Sequence, residues 1–181
     1  MLNLILSRSS TKKFADTPLA REVIEQLLAA ASRAPDHGML APWRFTVLEG
    51  ESRKVLSEAM RAALQEKSPS SDAETLDREG LKALRSPVLI VVSAVTQAHP
   101  KVPEVEQLVA VGAAIQNLWL AALSVGLGVA WKTGSHAYHP GVKRALGIDT
   151  QDHIIGFIHV GIPVSSAPAR AAEFASRTRW L

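Results

Sequence analysis

The sequence predicts an α+β fold in which a small sheet is covered by helices. Of the 181 residues, 47% are hydrophobic and 20% are charged, a composition typical of a globular protein with a sizeable core. Amphipathic helical patterns alternate along the chain with three or four short apolar strands. These strands are too few for a doubly wound nucleotide-binding fold. No repeat or change of composition divides the chain, so we expect one domain over residues 1–181.

Composition also excludes several classes of protein. The net charge of +3 favours an anionic ligand only weakly and does not require nucleic acid. The chain has no cysteine, which excludes disulfides, thiol nucleophiles and thiolate metal ligands. The apolar start at residues 1–6 is too short for a signal peptide. The apolar stretch over residues 108–129 contains Gln116 and Asn117, which favours a buried helix over a membrane span. We therefore expect a cytoplasmic protein.

The first helix with a clear pattern is expected to begin at Thr17-Pro18. Threonine is a good N-cap residue, and proline suits the first turn of a helix. Apolar residues then recur at helical spacing from Val23 to Ala31. This helix should end near Pro35, because the residue before a proline avoids helical geometry.

The middle of the chain predicts a strand, a helix, a loop and a second strand. Trp43 to Leu48 has the pattern of a strand, and Ser52 to Lys67 that of an amphipathic helix. Ser68 to Gly80 is polar and rich in serine, so we expect a mobile loop or lid there. Pro87 to Val95 contains a continuous apolar run, which is typical of a central strand covered on both faces.

The last third begins with a helix from Glu104 to Val125 that is apolar almost all round. Such a helix must be buried on most sides, and packing against the same helix of a second subunit would achieve this. A strand from Val129, a short helix over Pro140 to Leu146 and a final strand from Ile154 to Val160 follow. The tail from residue 164 onward has no clear period, and we expect an arm that lies on another surface.

A basic and hydroxyl-rich motif near the N-terminus suits a phosphate. Arg8, Ser10 and Lys12 are each two residues apart and combine a guanidinium fork, a hydroxyl and a second positive charge. An ordinary solvated basic patch has the same composition, and this alternative stays open at this point.

Two further segments could contact a flat, phosphorylated ligand. Arg33 and His37 flank the predicted end of a helix, although Arg33 also suits a helix C-terminus and His37 a surface loop. Around the strand from Val129, Gly126-Leu127-Gly128 and Trp131 to Gly134 provide glycines that allow close backbone approach. Gly126-Leu127-Gly128 follows a helix and is therefore not a dinucleotide-binding fingerprint. A helix cap followed by a turn would explain it equally well.

No other catalytic motif is evident. His136 and His139 are three residues apart without another nearby ligand candidate, so we expect no metal site. The sequence has neither a nucleophile elbow nor a phosphate-binding loop of the Gly-Lys-Ser/Thr type.

The order of these segments resembles the FMN-dependent NAD(P)H nitroreductase family over nearly the whole chain. Arg8 to Phe14 is similar to its N-terminal Arg-x-Ser-x-Arg/Lys-x-Phe motif, and Ala34-Pro35 to Pro42-Trp43 to its Ala-Pro-Ser…Gln-Pro-Trp motif. Gly126-Leu127-Gly128 resembles the segment after the long dimer helix of that family. Residues 154–163 resemble its last core strand. The Ala-Pro-Asp-His variant of the second motif places the chain near the short, minimal members.

This resemblance implies a fold, a cofactor and a set of contacts. The fold is a small, mostly antiparallel central sheet flanked by helices, in a homodimer whose subunits exchange C-terminal arms and bind FMN at their interface. The residues implied to bind FMN are Arg8, Ser9, Ser10, Lys12, Arg33, His37, Trp131, Lys132 and Thr133. Those implied to bind NAD(P)H are Ala121, Ala122, Leu123, Ser124, Val125 and Gly126. No side chain need act as acid or base, since the flavin carries the chemistry.

The chain departs from the family pattern at three places. Met39 replaces an asparagine of the second motif, and Ala41 replaces the glutamine before Pro-Trp. Each replacement removes a polar group, so any flavin contact that the family makes at these two positions is not transferred. The basic C-terminal phosphate contact has no secure counterpart, and Arg170 is the nearest candidate.

The resemblance implies an oxidoreductase that passes a hydride from NAD(P)H through FMN to nitroaromatics, quinones or similar small acceptors, with no nucleic-acid or membrane partner. Two alternatives stay open. One is a non-catalytic FMN-binding or flavin-processing protein. The other is a small module that binds anions or nucleic acid through Arg8, Lys12, Lys13 and the tail arginines. The sequence identifies neither the acceptor nor the preference between NADH and NADPH.

Overall fold

The computed structural model describes residues 1–181. Its helices and strands are α1 (Leu2–Ser7), β1 (Thr11–Phe14), α2 (Arg21–Ala31), β2 (Trp43–Glu49), α3 (Arg53–Lys67), α4 (Ala73–Gly80), β3 (Val88–Ala94), α5 (Glu104–Ser124), β4 (Gly128–Lys132), α6 (Pro140–Ala145), β5 (His153–Gly161) and β6 (Pro163–Ser166). The α+β class is therefore confirmed.

Four strands form an antiparallel sheet in the order β2-β3-β5-β4. Strand β3 pairs with both β2 and β5, and all of its residues are buried, which confirms the predicted central strand. Strand β4 pairs only with β5 and so forms one edge of this sheet. The edge position matters for function because both of its faces border clefts.

The core lies in two layers, one on each face of the sheet. On the first face, α2 and α5 pack through residues such as Leu27 and Ile115 against β3, β4 and β5. On the second face, α3 and α6 pack through residues such as Leu56 and Val142 against Leu89, Val91 and Phe157. Because successive side chains of a strand point to opposite faces, β3 contributes Ile90 and Val92 to one layer and Leu89 and Val91 to the other.

A two-stranded ribbon of β1 and β6 covers one end of the sheet. Thr11 lies opposite Ser166, and Ala167 N donates to the Ser10 carbonyl at 2.9 Å. Neither strand was predicted from the sequence, where the first motif received no secondary structure and the tail was expected to be an arm without a clear period. Both strands are only four residues long, and their pairing connects opposite ends of the chain, so no local pattern reveals it.

The prediction of a helix start at Thr17-Pro18 is wrong, because α2 begins at Arg21 with Ala20 as its N-cap residue. Shortly before, Ala15 N still donates a hydrogen bond of 2.9 Å to the carbonyl of Ile162, the residue between β5 and β6. Residues 16–20 are then needed to reach the other face of the sheet, where Leu19 packs against the core.

The predicted mobile loop over residues 68–80 is also wrong in its second half, which forms α4. Asp72 caps this helix, and its side chain accepts a hydrogen bond from Thr75 N at 2.8 Å. The helix packs on α3, where Arg61 forms an ion pair with Asp77. A side chain at Gly80 would collide with the Ser57 hydroxyl, so a small residue is required at this contact. The polar residues of this segment therefore form the exposed face of a helix.

The long helix α5 confirms the prediction for residues 104–125 to within one residue. Its length and composition alone would allow it to cross a membrane. However, its buried residues, such as Val111, Ile115 and Leu118, pack in the core against α2 and the sheet. We conclude that α5 is a core helix whose remaining face is open.

Candidate functional site

A cleft of about 610 Å³ lies where the N-terminal segment, α5, β4 and the C-terminal tail meet. Its lining combines two cations, several hydroxyl groups and two indole rings: Arg8, Ser9, Ser10, Gln116, Trp119, Trp131, Thr133, Ala167, Pro168 and Arg170. No carboxylate lines it. This volume falls within the range of roughly 300–1,000 Å³ found for pockets that hold cofactors and other small ligands.

The segment between α1 and β1 provides the cationic end of the cleft. Arg8 ends α1 with an extended backbone, and its guanidinium carbon lies 4.5 Å from the centroid of the Trp119 ring. Arginine stacks well on an indole because the ring face is electron-rich. The stack places the guanidinium on the cleft wall beside Ser9 and Ser10, a donor set that suits a phosphate group.

Trp131 forms the wall on β4. Its Nε1 donates a hydrogen bond of 3.0 Å to the Ile155 carbonyl, and this bond fixes the indole across β5. A side chain at Gly156 would collide with this indole, so the position requires glycine. The wall is therefore rigid before any ligand binds.

Trp119 lines the same cleft and carries an unused hydrogen-bond donor. The residue is buried in the wall, and its Nε1 is the one buried side-chain nitrogen or oxygen in the chain without a hydrogen-bond partner. A buried donor without a partner costs about 1–3 kcal/mol, and a ligand with an acceptor group could recover that free energy. Sequence reasoning missed Trp119 and Gln116, because they stand within an apolar helix whose pattern indicates core.

The residues predicted from the resemblance fall into separate groups. Arg8, Ser9, Ser10, Trp131 and Thr133 line this cleft, together with Arg170, the candidate for the C-terminal contact. Lys12 and Lys132 line an adjoining cavity that also includes Ser10 and Ala167. Side chains alternate along β4, so Trp131 and Lys132 lie on opposite faces of the sheet edge.

Arg33 and His37 lie far from the cleft within one chain. His37 Nδ1 is 2.6 Å from a carboxylate oxygen of Glu106, near the start of α5. Glu106 and Trp119 are thirteen residues apart in this helix, which corresponds to about 20 Å. Arg33 is exposed at the end of α2. One chain alone does not bring these residues to the Arg8 cleft.

The loop that carries His37 is strained. Met39 and Ala41 have φ values of 53° and 45°, in the left-handed region that costs a residue with a side chain about 1–3 kcal/mol. The Asp36 side chain accepts a hydrogen bond from Ala41 N at 2.6 Å and helps to hold this conformation. Met39, which stands where the family has asparagine, is 91% exposed. The loop thus presents His37 and Met39 outward, away from the core of its own chain.

The segment predicted to bind NAD(P)H, residues 121–126, ends α5. Ala122 is fully buried in the core, so its side chain is not available to a ligand. Ser124, Val125 and Gly126 are exposed, and Gly126 adopts a φ of 77° that ends the helix. Only the end of the predicted segment is therefore accessible in one chain.

A half-buried ion-pair network supports the turn after β4. Glu79 of α4 accepts hydrogen bonds from Lys82 at 2.6 Å and from His136 at 2.7 Å. Burial alone would raise the pKa of the Glu79 carboxyl, but these two hydrogen bonds outweigh burial and the pKa is lowered. His136 follows Thr133 and Gly134 closely, so the network fixes the part of β4 that borders the cleft.

Comparisons with known proteins agree with this architecture. A sequence profile described as the Nitroreductase family matches residues 5–162. YdjA of Escherichia coli K12, provisionally named an NAD(P)H nitroreductase, is 34% identical over 162 residues, which cover 90% of this chain and 87% of YdjA.

Two solved structures show the same fold. The nitroreductase-like family protein from Bacillus cereus superposes with a TM-score of 0.87 at 26% identity, covering 99% of this chain and 95% of that one. A variant of NfnB, the FMN and NADPH-dependent nitroreductase from Sphigopyxis sp. strain HMH, superposes with a TM-score of 0.81 at 17% identity, covering 99% of this chain and 97% of that one.

Proposed function

The chain belongs to the nitroreductase family, and from this premise we propose that it is an FMN-dependent oxidoreductase. It transfers a hydride from NAD(P)H to a small oxidised acceptor such as a nitroaromatic compound or a quinone. We take residues 1–181 as the one domain that performs this reaction, in the cytoplasm.

The observation that carries this proposal is the lining of the Arg8 cleft. Arg8 and Arg170 supply positive charge, Ser9 and Ser10 supply hydroxyl donors, and no carboxylate opposes them. These groups suit the phosphate of FMN. Trp119 and Trp131 form apolar walls beside them, and the unpartnered Trp119 Nε1 offers a donor to an acceptor atom of the ligand.

FMN, when bound, supplies the hydride-transfer chemistry. The chain's own residues would hold and orient it. Arg8 and Ser10 would bind the phosphate, and the backbone of Trp131 to Thr133 would border the ring. Lys12 or Lys132, each near the edge of the site, could stabilise negative charge on the reduced cofactor through its ammonium group.

We also propose that the site is completed by a second copy of the chain. Along α5, Val105, Val109, Ala113 and Gln116 recur at helical spacing and form an exposed or half-exposed stripe. Val105 and Val109 are 62% and 67% exposed, an unfavourable state for valine in water. Packing this stripe against itself around a two-fold axis would cover it.

This packing would also bring the predicted site residues together. If two α5 helices run antiparallel, the end that carries Glu106 and His37 approaches the Trp119 region of the partner. Arg33 and His37 would then contribute to the FMN site of the other subunit. The tail, whose Phe174 and Trp180 are 65% and 87% exposed, would lie as an arm on the partner.

The test is an absorbance spectrum of the purified protein, recorded before and after NADPH or NADH is added without oxygen. A flavin spectrum that bleaches supports the reductase. A bound flavin that stays oxidised with both nucleotides would indicate a flavin-binding protein without this activity. A colourless protein that fails to take up FMN would refute the cofactor assignment.

A further inference from the structure

A second cleft lies on the opposite face of edge strand β4 from the Arg8 cleft. It consists of two adjoining cavities of about 260 and 270 Å³. Three residues line both of them, namely Arg85 before β3, Lys132 on β4 and His159 on β5. The family resemblance assigned no role to Arg85 or His159.

The floor of this cleft is the imidazole of His159, which is only 4% exposed. Its Nδ1 lies 2.9 Å from Ser86 Oγ, and that hydroxyl donates its proton to the Val88 carbonyl at 2.7 Å. Ser86 Oγ must therefore accept the Nδ1 proton. This fixes the tautomer and leaves Nε2 of the neutral ring without a proton or a protein partner.

The rim of the cleft is positively charged. Arg85 and Lys132 are exposed, and neither forms an ion pair with a carboxylate. Lys12 of β1 adds a third cation to the first cavity, whose lining contains no aspartate or glutamate but includes the hydroxyl residues Ser10 and Thr11. Three cations without a counter-charge favour a ligand that carries more than one negative charge.

The second cavity adds no unpaired negative charge to this excess of cations. Its one carboxylate, Glu79, already pairs with Lys82 and His136. The Phe14 ring also lies near the imidazole, with its centroid 6.5 Å from that of His159, and it carries no charge. The uncompensated charges facing His159 are therefore all positive.

The same positive charges affect the protonation of His159. Burial, together with the charges of Arg85 and Lys132, lowers the pKa of His159 to about 4. The ring is thus neutral at physiological pH. A bound dianion would oppose this field and would favour a proton on Nε2, which could then donate to the anion.

We propose that this second cleft is a binding site for a phosphate group, held by Arg85 and Lys132 at the rim and, when the ring is protonated, also by Nε2 of His159 at the floor. A phosphate carries close to two negative charges at neutral pH and offers several acceptor oxygens, which matches the two cationic donors of the rim. The group could be free inorganic phosphate or the phosphate of a nucleotide. The site adjoins the proposed FMN phosphate site, which lies across β4, and the two share Ser10 and Ala167 in their linings.

The test uses the full chain saturated with FMN, so that the flavin occupies its own phosphate site. Sulfate serves as the probe, since it stays a dianion throughout the titration. The pH midpoint of the His159 imidazole is followed by NMR with and without sulfate, at constant ionic strength adjusted with chloride. We expect sulfate to raise this midpoint by about one pH unit or more, which corresponds to about tenfold tighter binding by the protonated ring.

Variants distinguish sulfate binding in this cleft from a general effect of protein charge on the His159 midpoint. Arg85→Gln should remove most of the sulfate effect, and Arg85→Lys should retain part of it. Arg144→Gln removes an exposed arginine on α6, outside both cavities, and should leave the effect intact. An unchanged midpoint in the wild type, or an equal rise in Arg85→Gln, would overturn the proposal. The flavin absorbance of the same samples reports the proposed FMN site independently.

Competition identifies the source of the phosphate. Inorganic phosphate and the nucleotide 2′,5′-ADP are each titrated against sulfate. Displacement by the nucleotide at tenfold lower concentration would identify a nucleotide-borne phosphate, whereas equal potency would identify the free ion. Either result would show that the second cleft binds a phosphate group. Failure of either compound to displace sulfate would refute a phosphate site.

Discussion

The guanidinium of Arg8 lies over the indole of Trp119, with its central carbon 4.5 Å from the ring centroid. This contact joins the segment before β1 to the middle of α5, two parts of the chain more than a hundred residues apart. It holds a cation on the wall of the proposed FMN site, so the binding of a phosphate there requires little rearrangement. Binding to a preorganised site loses less conformational entropy than binding to a mobile one.

The first prediction concerns this cation. Arg8→Ala should raise the dissociation constant of FMN by about tenfold to a hundredfold, because a charge-assisted hydrogen bond contributes about 1.5–3 kcal/mol. Arg8→Lys should recover only part of the loss, since an ammonium keeps the charge without the planar fork. Fluorescence titration of the protein with FMN measures both values. Lys13→Ala, an exposed cation on β1 outside the cleft, is the matched control and should bind FMN normally.

The second prediction concerns the open face of α5. Val109→Asp should convert the proposed dimer into a monomer, because it places a charge at the centre of the interface. FMN affinity should fall with it, since Arg33 and His37 would no longer reach the site from the partner. Light scattering after size-exclusion chromatography gives the mass, and flavin absorbance gives the occupancy. Val55→Asp, on the exposed side of α3, should change neither; a Val109→Asp dimer with full flavin would contradict the shared site.

The third prediction follows from the lowered pKa of His159. In the unfolded chain this ring takes up a proton near its ordinary pKa of 6.5, whereas in the folded protein it does so only near 4. The free energy of unfolding should therefore be fully present above pH 6.5 and decrease by about 3 kcal/mol as the pH falls to 4. His159→Gln should flatten the curve in this window.

Urea denaturation at half-unit steps of pH measures that slope. His99→Gln, at an exposed histidine before α5, provides the control and should keep the wild-type curve. The lowered pKa values of Asp72 and Glu79 affect stability at lower pH, since carboxylates contribute above their ordinary pKa and lose that contribution as they are protonated. A wild-type curve that stays flat between pH 4 and 6.5 would contradict the burial of a neutral ring.

The fourth prediction concerns the network around Glu79. Glu79→Gln should lower the free energy of unfolding by about 1–3 kcal/mol, because Lys82 and His136 lose a charged acceptor in a half-buried position. The turn that follows Thr133 should then be less well fixed, so FMN should dissociate several-fold faster. Stopped-flow fluorescence measures that rate. Glu66→Gln removes an exposed carboxylate that pairs with His139 at 3.4 Å, and it should change stability by less than about 1 kcal/mol.

Prediction from the sequence succeeded where a pattern is local and continuous. The apolar run of β3 and the long α5 were identified almost to the residue, because their burial leaves few polar positions in the pattern. It failed for α4, where only one side of a short helix contacts α3 and the polar residues resemble a loop. It also failed for β1 and β6, which exist because they pair with each other across the whole chain.

The candidate site, too, could be predicted from the sequence only in part. The sequence by itself determined the basic and hydroxyl residues of Arg8 to Lys12 and the turn after β4, and their order gave the family. Only the tertiary structure decided that Trp119 faces Arg8, that Trp131 and Lys132 lie on opposite faces of β4, and that His37 contacts Glu106, which is about 20 Å from Trp119 along α5. The physical reason is that residue type fixes what a side chain can bind, whereas the packing of distant segments fixes which side chains meet.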